Sequence, residues 1–150
     1  MGNKGIKIKQ QDITDCGAAS LASVCAYYGL RFPIARIRQY AFTDKKGTNV
    51  LGMIEAAQKL GLEAKGVRAQ VEALSIIALP AIAHVVVNKV LHHFVVIYKV
   101  NNQQVTYMDP ADGEFHKVTL VDFLKIWTGV LITPTPTKTA ATSPPTGPST

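Results

Sequence analysis

The feature that most constrains this chain is a change of hydrophobic period near Glu63: apolar residues recur at helical spacing before it and gather into short strand-length blocks after it. Residues 16–28, CGAASLASVCAYY, are almost wholly apolar or small and stop at Gly29, which predicts a helix buried on most of its circumference. Amphipathic segments follow at about 33–41, opened by Pro33, and at about 49–60, closed by Gly61. Strands are expected at about 62–67, 80–87, 92–100 and 104–109, then a short helix at 119–126 and a closing strand at 128–132. Helices first and strands second give an α+β fold, with a helical N-terminal half packed on a C-terminal sheet. Short connections make that sheet largely antiparallel.

With 150 residues, 47% hydrophobic and 17% charged, the chain has enough apolar side chains for one real core. Its net charge of +6 is scattered, with no basic run and no interleaved aromatics, so nucleic acid is not an expected partner. The opening MGNKGIKIKQ has no apolar stretch of the signal-peptide kind, and His84, Asn88, His92 and His93 interrupt the later apolar runs before they could span a membrane. Ile6 stands where myristoylation needs Ser or Thr. From Thr133 onward the chain is rich in Pro, Thr and Ser, which places the folded domain at 1–133 and a linker or tail at 134–150.

The two cysteines, Cys16 and Cys25, fall in one predicted helix, where nine residues separate them by about 13–14 Å, about twice the reach of a disulfide. Both thiols are expected to be free. Cys16 follows a good N-cap, Asp15, and so occupies the first helical turn, where unpaired N–H groups and the helix dipole favour a thiolate. The charge of Asp15 opposes this, so a neighbouring imidazolium is wanted. Gly17 leaves room for a substrate backbone. Cys16, Ser20, Ser23 and Tyr27 also form a stripe along one face of the helix. By itself a cysteine at a helix start is equally well read as a small core residue, as Cys25 is.

A cysteine nucleophile needs a general base, and the base needs an orienting group. His92 or His93 on one strand and Asp109 at the end of the next could supply both. Because side chains alternate, only one histidine of the pair can share a face with Asp109. A two-residue turn at Asn101–Asn102 favours His92, whereas a longer turn or a bulge favours His93. Gln10, six residues before Cys16, is a candidate oxyanion donor beside the Cys16 N–H. His84 and His116 read as structural. No Cys and His spacing matches a metal site, and no Gly-rich phosphate loop follows a strand.

The run QQDITDCGAASLASVCAYYG, followed in order by PAIAHVVV, HHFVVIYKV, YMDPADG and WTGVLI, resembles the C39 peptidases. These are papain-like domains at the N-termini of bacterial peptidase-containing ABC transporters. The resemblance implies catalysis by Cys16, His93 and Asp109, with Gln10 in the oxyanion hole and Gln11 as its possible substitute, and thereby names the histidine that spacing leaves open. It implies a cysteine endopeptidase without metal or organic cofactor. Its partner would be a precursor of a bacteriocin, lanthipeptide or signalling peptide, whose amphipathic leader helix ends in a double glycine. The domain would be joined in its full-length chain to transmembrane and ATPase domains, on the cytoplasmic side of the bacterial membrane, and be monomeric in isolation. Two rivals use the same residues or none of them: a transglutaminase-like acyl transferase, and a non-cleaving domain that docks cargo.

Overall fold

The computed structural model describes residues 5–8, 16–40 and 49–137. Three helices come first: α1 (Cys16–Tyr27), α2 (Ile34–Tyr40) and α3 (Val50–Lys59). The end of α1 is fixed by Gly29, whose φ of 84° suits a residue without Cβ. There the Leu30 N–H donates to the Cys25 carbonyl at 2.8 Å and the Gly29 N–H to that of Ala26 at 3.0 Å, satisfying carbonyls that the helix cannot. Asn49 caps α3 by accepting from the Gly52 N–H at 2.7 Å.

The rest is mainly strand: β1 (Leu62–Glu63), β2 (Gly66–Arg68), β3 (Ala81–Val87), β4 (Leu91–Val100), β5 (Gln104–Asp109), β6 (Glu114–Thr119), β7 (Trp127–Ile132) and β8 (Thr135–Pro136), with helix α4 (Leu120–Ile126) between β6 and β7. Six strands form one sheet in the order β2-β7-β3-β4-β5-β6, and β1 pairs with β8 in a separate ribbon. All of these pairings are antiparallel.

Both faces of the large sheet are covered. On one, α1, α2 and α3 bury Ala18, Leu21, Ile37 and Met53 against Ile82, Phe94, Val96 and Met108. On the other, α4 and a 3-10 turn at Val71–Ser75 bring Phe123 and Leu74 against Val85, Val95, Ile97 and Leu131. This explains why β4 is apolar at consecutive positions from Phe94 to Ile97 instead of alternating. Phe123 has no exposed surface, and its truncation to Ala would cost about 3–5 kcal/mol.

The α+β class and the helix-then-sheet order hold, and four details differ. The segment expected as one strand at 62–67 changes partners midway: Leu62 and Glu63 pair with β8, whereas Gly66–Arg68 pair with β7. The strand expected from residue 80 begins at Ala81, because Pro80 has no N–H to give a ladder. Strand β6 is additional to the expected set, since it lies at the sheet edge and carries little apolar signal. The domain boundary after Thr133 is also too early. Thr135 and Pro136 pair with β1, the Thr133 N–H donates to the Lys65 carbonyl at 3.0 Å, and the Thr137 N–H donates to that of Gly61 at 3.1 Å. Proline is tolerated in β8 because a two-stranded ribbon leaves each strand an open side where no N–H is needed.

Candidate active site

Cys16 is the first residue of α1 and half-buried at its start. The predicted polar stripe of α1 lies along β4. Ser20 Oγ donates to the Phe94 carbonyl at 3.4 Å, and Ser23 Oγ meets the Tyr98 hydroxyl at 3.1 Å. The Tyr27 ring packs against that of Tyr98 with centroids 5.8 Å apart. One turn before Ser20, Cys16 is hydrogen-bonded to His93. The stripe is therefore the seam along which α1 is sewn to β4, and its first member reaches the imidazole.

His93 Nε2 lies 2.5 Å from Asp109 Oδ1. With Nε2 taken, the ring nitrogen left for the sulfur is Nδ1. Asp109 is itself fixed by the turn that follows it: the Ala111 N–H donates to the same carboxylate oxygen at 2.9 Å, and the Gly113 N–H donates to the Asp109 carbonyl at 2.7 Å. Nucleophile, base and orienting carboxylate thus form one line, from the start of α1 across β4 to the end of β5.

A slip in the ladder selects the histidine. The Asn101 N–H donates to the Gln104 carbonyl at 2.9 Å, which centres the hairpin on Asn102 and Gln103, one residue later than the expected two-residue turn. Near the hairpin Val100 faces Val105 and Lys99 faces Thr106; past Tyr98 the pairing shifts by one, so that Ile97 faces Tyr107 and Val96 faces Met108. Continued by one residue, this sets Val95 opposite Asp109 and turns His93 to the carboxylate's face. Had the Lys99 register persisted, Val96 would stand opposite Asp109 and His92 would take that place. The sequence leaves both geometries open, and the bulge at Tyr98 decides between them.

The electrostatics follow. Burial works against a charge on His93, which is 7% exposed, but its hydrogen bonds to Asp109 and Cys16, with the charges of both, raise the imidazole to about 9. Burial likewise opposes ionisation of Asp109, yet the hydrogen bonds from His93 and the Ala111 N–H, with the positive charge of His93 and His116, hold its carboxyl below the usual range. At neutral pH the site therefore holds His93 as an imidazolium, with the ionised Asp109 on one side and the Cys16 sulfur on the other. Cys25 is the contrast: it is fully buried and its thiol is pushed up to about 12.

The other histidines have partners that the sequence does not reveal. His84 Nδ1 lies 3.0 Å from Thr128 Oγ1, and its Nε2 lies 3.2 Å from His92 Nδ1. His116 Nε2 lies 2.8 Å from Asp112 Oδ2, with its ring stacked on Tyr107 at 5.4 Å. Gln10, Gln11 and Asp15 lie outside the described residues. Among the described residues, no group of three or more His, Cys, Asp or Glu side chains could hold a metal ion, and no helix is long and apolar enough to cross a membrane.

The model of the peptidase C39 family matches residues 6–139, which include all three aligned side chains. The chain belongs to the peptidase C39 family. As a C39 domain it is a papain-like cysteine peptidase, and its fold matches solved members. It superposes on the peptidase domain of Streptococcus ComA, a bifunctional ABC transporter of a quorum-sensing pathway, with a TM-score of 0.83 and 35% identity, covering 89% of this chain and 100% of that one. It also superposes on a double glycine motif protease from an AMS/PCAT transporter, solved in complex with the leader peptide, with a TM-score of 0.81 and 36% identity, covering 91% of this chain and 95% of that one. In sequence it is 40% identical over 131 residues to the lactococcin-G-processing and transport ATP-binding protein LagD of Lactococcus lactis subsp. lactis, covering 86% of this chain. It is 39% identical over 131 residues to the pediocin PA-1 transport/processing ATP-binding protein PedD of Pediococcus acidilactici, covering 85% of this chain. The C39 domain spans 18% of the length of each of these two curated relatives.

Proposed function

We propose that this C39 domain is an endopeptidase that removes leader peptides after a double glycine, on the cytoplasmic side of a bacterial membrane, as part of a transporter that exports the released peptide. The observation that carries the reading is the aligned Cys16, His93 and Asp109, with the imidazole charged and the orienting carboxylate ionised. Support for the substrate class comes from the leader-peptide complex of the similar double glycine protease and from the processing and transport names of LagD and PedD.

In this mechanism the Cys16 thiolate attacks the carbonyl of the second glycine, and the oxyanion forms between the Cys16 N–H and the Gln10 amide. The His93 imidazolium gives its proton to the leaving amine, water enters, and neutral His93 acts as base while the thioester is hydrolysed. Asp109 keeps the ring turned toward the sulfur throughout. No step requires a metal or an organic cofactor.

Two glycines offer little surface, so the leader must be held elsewhere, and an amphipathic leader helix docking by its apolar face is the binding mode assigned to the isolated, monomeric domain. Incubation of a double-glycine precursor with the domain, followed by mass spectrometry, should show one cut after the second glycine. Ala in place of that glycine should lower kcat/KM about ten- to a hundredfold, the cost of forcing one methyl into a close-fitting site. A short peptide carrying only the double glycine should be cut poorly through a raised KM. Cutting at unrelated sequences, or transfer to an added amine in preference to water, would defeat the assignment.

A further inference from the structure

Resting on the oxyanion role given to Gln10, we propose that Tyr98 and Ser23 are positioning residues that hold residues 5–8, the strip of chain that leads to Gln10. The Ile6 carbonyl accepts from Ser23 Oγ at 2.6 Å and from the Tyr98 hydroxyl at 3.1 Å. Ser23 Oγ and the Tyr98 hydroxyl also lie 3.1 Å apart, so the two hydroxyls and the carbonyl form one triangle in which two protons serve three contacts. Ser23 is fully buried, so its contact with the Ile6 carbonyl is shielded from water.

The surroundings tighten the same anchor. A Cβ on Gly5 would come within 2.8 Å of the Phe115 ring and 3.2 Å of that of Tyr98, so the segment lies flat on these two aromatics. They meet edge to face with centroids 5.8 Å apart. Lys7 Nζ lies 5.1 Å over the Phe115 ring and 3.0 Å from Glu114. Ile8 packs against the core beneath α1. Two residues of chain, at most about 7 Å, then separate Ile8 from Gln10.

Tyr98 is also the residue at which the β4 ladder slips. One side chain therefore stands at the junction of two requirements: the bulge that turns His93 toward Asp109, and the hydroxyl that holds the strip of chain leading to the oxyanion donor. Removal of the hydroxyl alone separates them, because a Phe ring can keep the bulge packed while the anchor loses a bond.

The test is a mutant cycle of Tyr98→Phe, Ser23→Ala and Gln10→Ala on the whole chain, assayed with a double-glycine precursor. Tyr98→Phe with Ser23→Ala should lower kcat about tenfold or more, the scale of losing both anchoring hydrogen bonds. KM should stay within about twofold, since the leader docks elsewhere. The rate of Cys16 alkylation by iodoacetamide should not change, since that reaction forms no oxyanion and reads only the thiolate pair. Adding Gln10→Ala to the pair should cost much less than in the native background. Loss of alkylation in parallel with turnover, unchanged kcat, or effects that simply multiply with that of Gln10→Ala would overturn the proposal. If Gln10→Ala alone leaves kcat intact, the oxyanion assignment itself falls. Should the double variant fail to fold, the cycle of Tyr98→Phe with Gln10→Ala distinguishes the same outcomes.

Discussion

Replacing Asp109 by Asn separates what the carboxylate does by charge from what it does by position. An amide oxygen can still accept from the His93 Nε2–H, so the ring keeps a partner at that end, but the negative charge that favours the imidazolium is gone. In the native site burial pulls His93 down, but its interactions with Asp109 and Cys16 raise it from 6.5 to about 9. Turnover needs the proton on His93 for the leaving amine, so it should fall as pH rises through about 9. With the Asp109 charge removed, the variant's basic limb moves to lower pH. Below that limb both proteins carry the proton, and their ratio reports lost orientation alone. At pH 9 the native imidazole is about half charged and the variant's much less, so each unit by which the limb moves down adds a loss of roughly five- to tenfold. The assay is cleavage of a double-glycine precursor between pH 6 and 10, with Cys16 alkylation followed in parallel. A native-to-variant ratio that stays constant from pH 6.5 to 9 would refute the idea that the Asp109 charge holds the proton on His93.

The adjacent histidines should part company sharply: His93→Ala should lose nearly all turnover, about 10³-fold or more, and His92→Ala should lose little, as kcat measurements on the two variants will show. Iodoacetamide at neutral pH should label Cys16 and spare Cys25, whose thiol is buried and pushed up to about 12, with peptide mapping as the readout. Cys16→Ala should abolish cleavage while Tm stays within a few degrees of the native value, because the side chain is small and only partly packed.

Much of the fold can be read from periodicity, since the helical half and the strand blocks each follow from where apolar residues recur. Cys16 is visible through its place at a helix start before Gly17, and Asp109 through its place at the end of the strand that follows the paired histidines. The choice between His92 and His93 is not visible, because a one-residue slip at Tyr98 leaves no mark in composition or spacing; only the family resemblance supplies it. Strand β6 escapes detection because an edge strand exposed on much of its surface has no need of an apolar pattern. The stretch 134–137 reads as a tail for a related reason: Pro and Thr are poor core residues, yet β1 gives β8 a ladder to join. The bonds of His84 to Thr128 and of His116 to Asp112 join different segments through the fold or across a turn, and local sequence does not encode them.

The β1–β8 ribbon has a mechanical consequence. Any tension applied to the chain beyond Thr137 is met first by two paired residues on each strand and by the Thr137 N–H bond to Gly61, a contact small enough to open locally. Behind it stands β7, hydrogen-bonded to β2 on one side and β3 on the other, with Leu131 and Ile132 buried in the cores on opposite faces of the sheet. The ribbon thus works as a fuse, yielding to a tug at the carboxyl end before the load reaches the central strands that keep His93 and Asp109 in line.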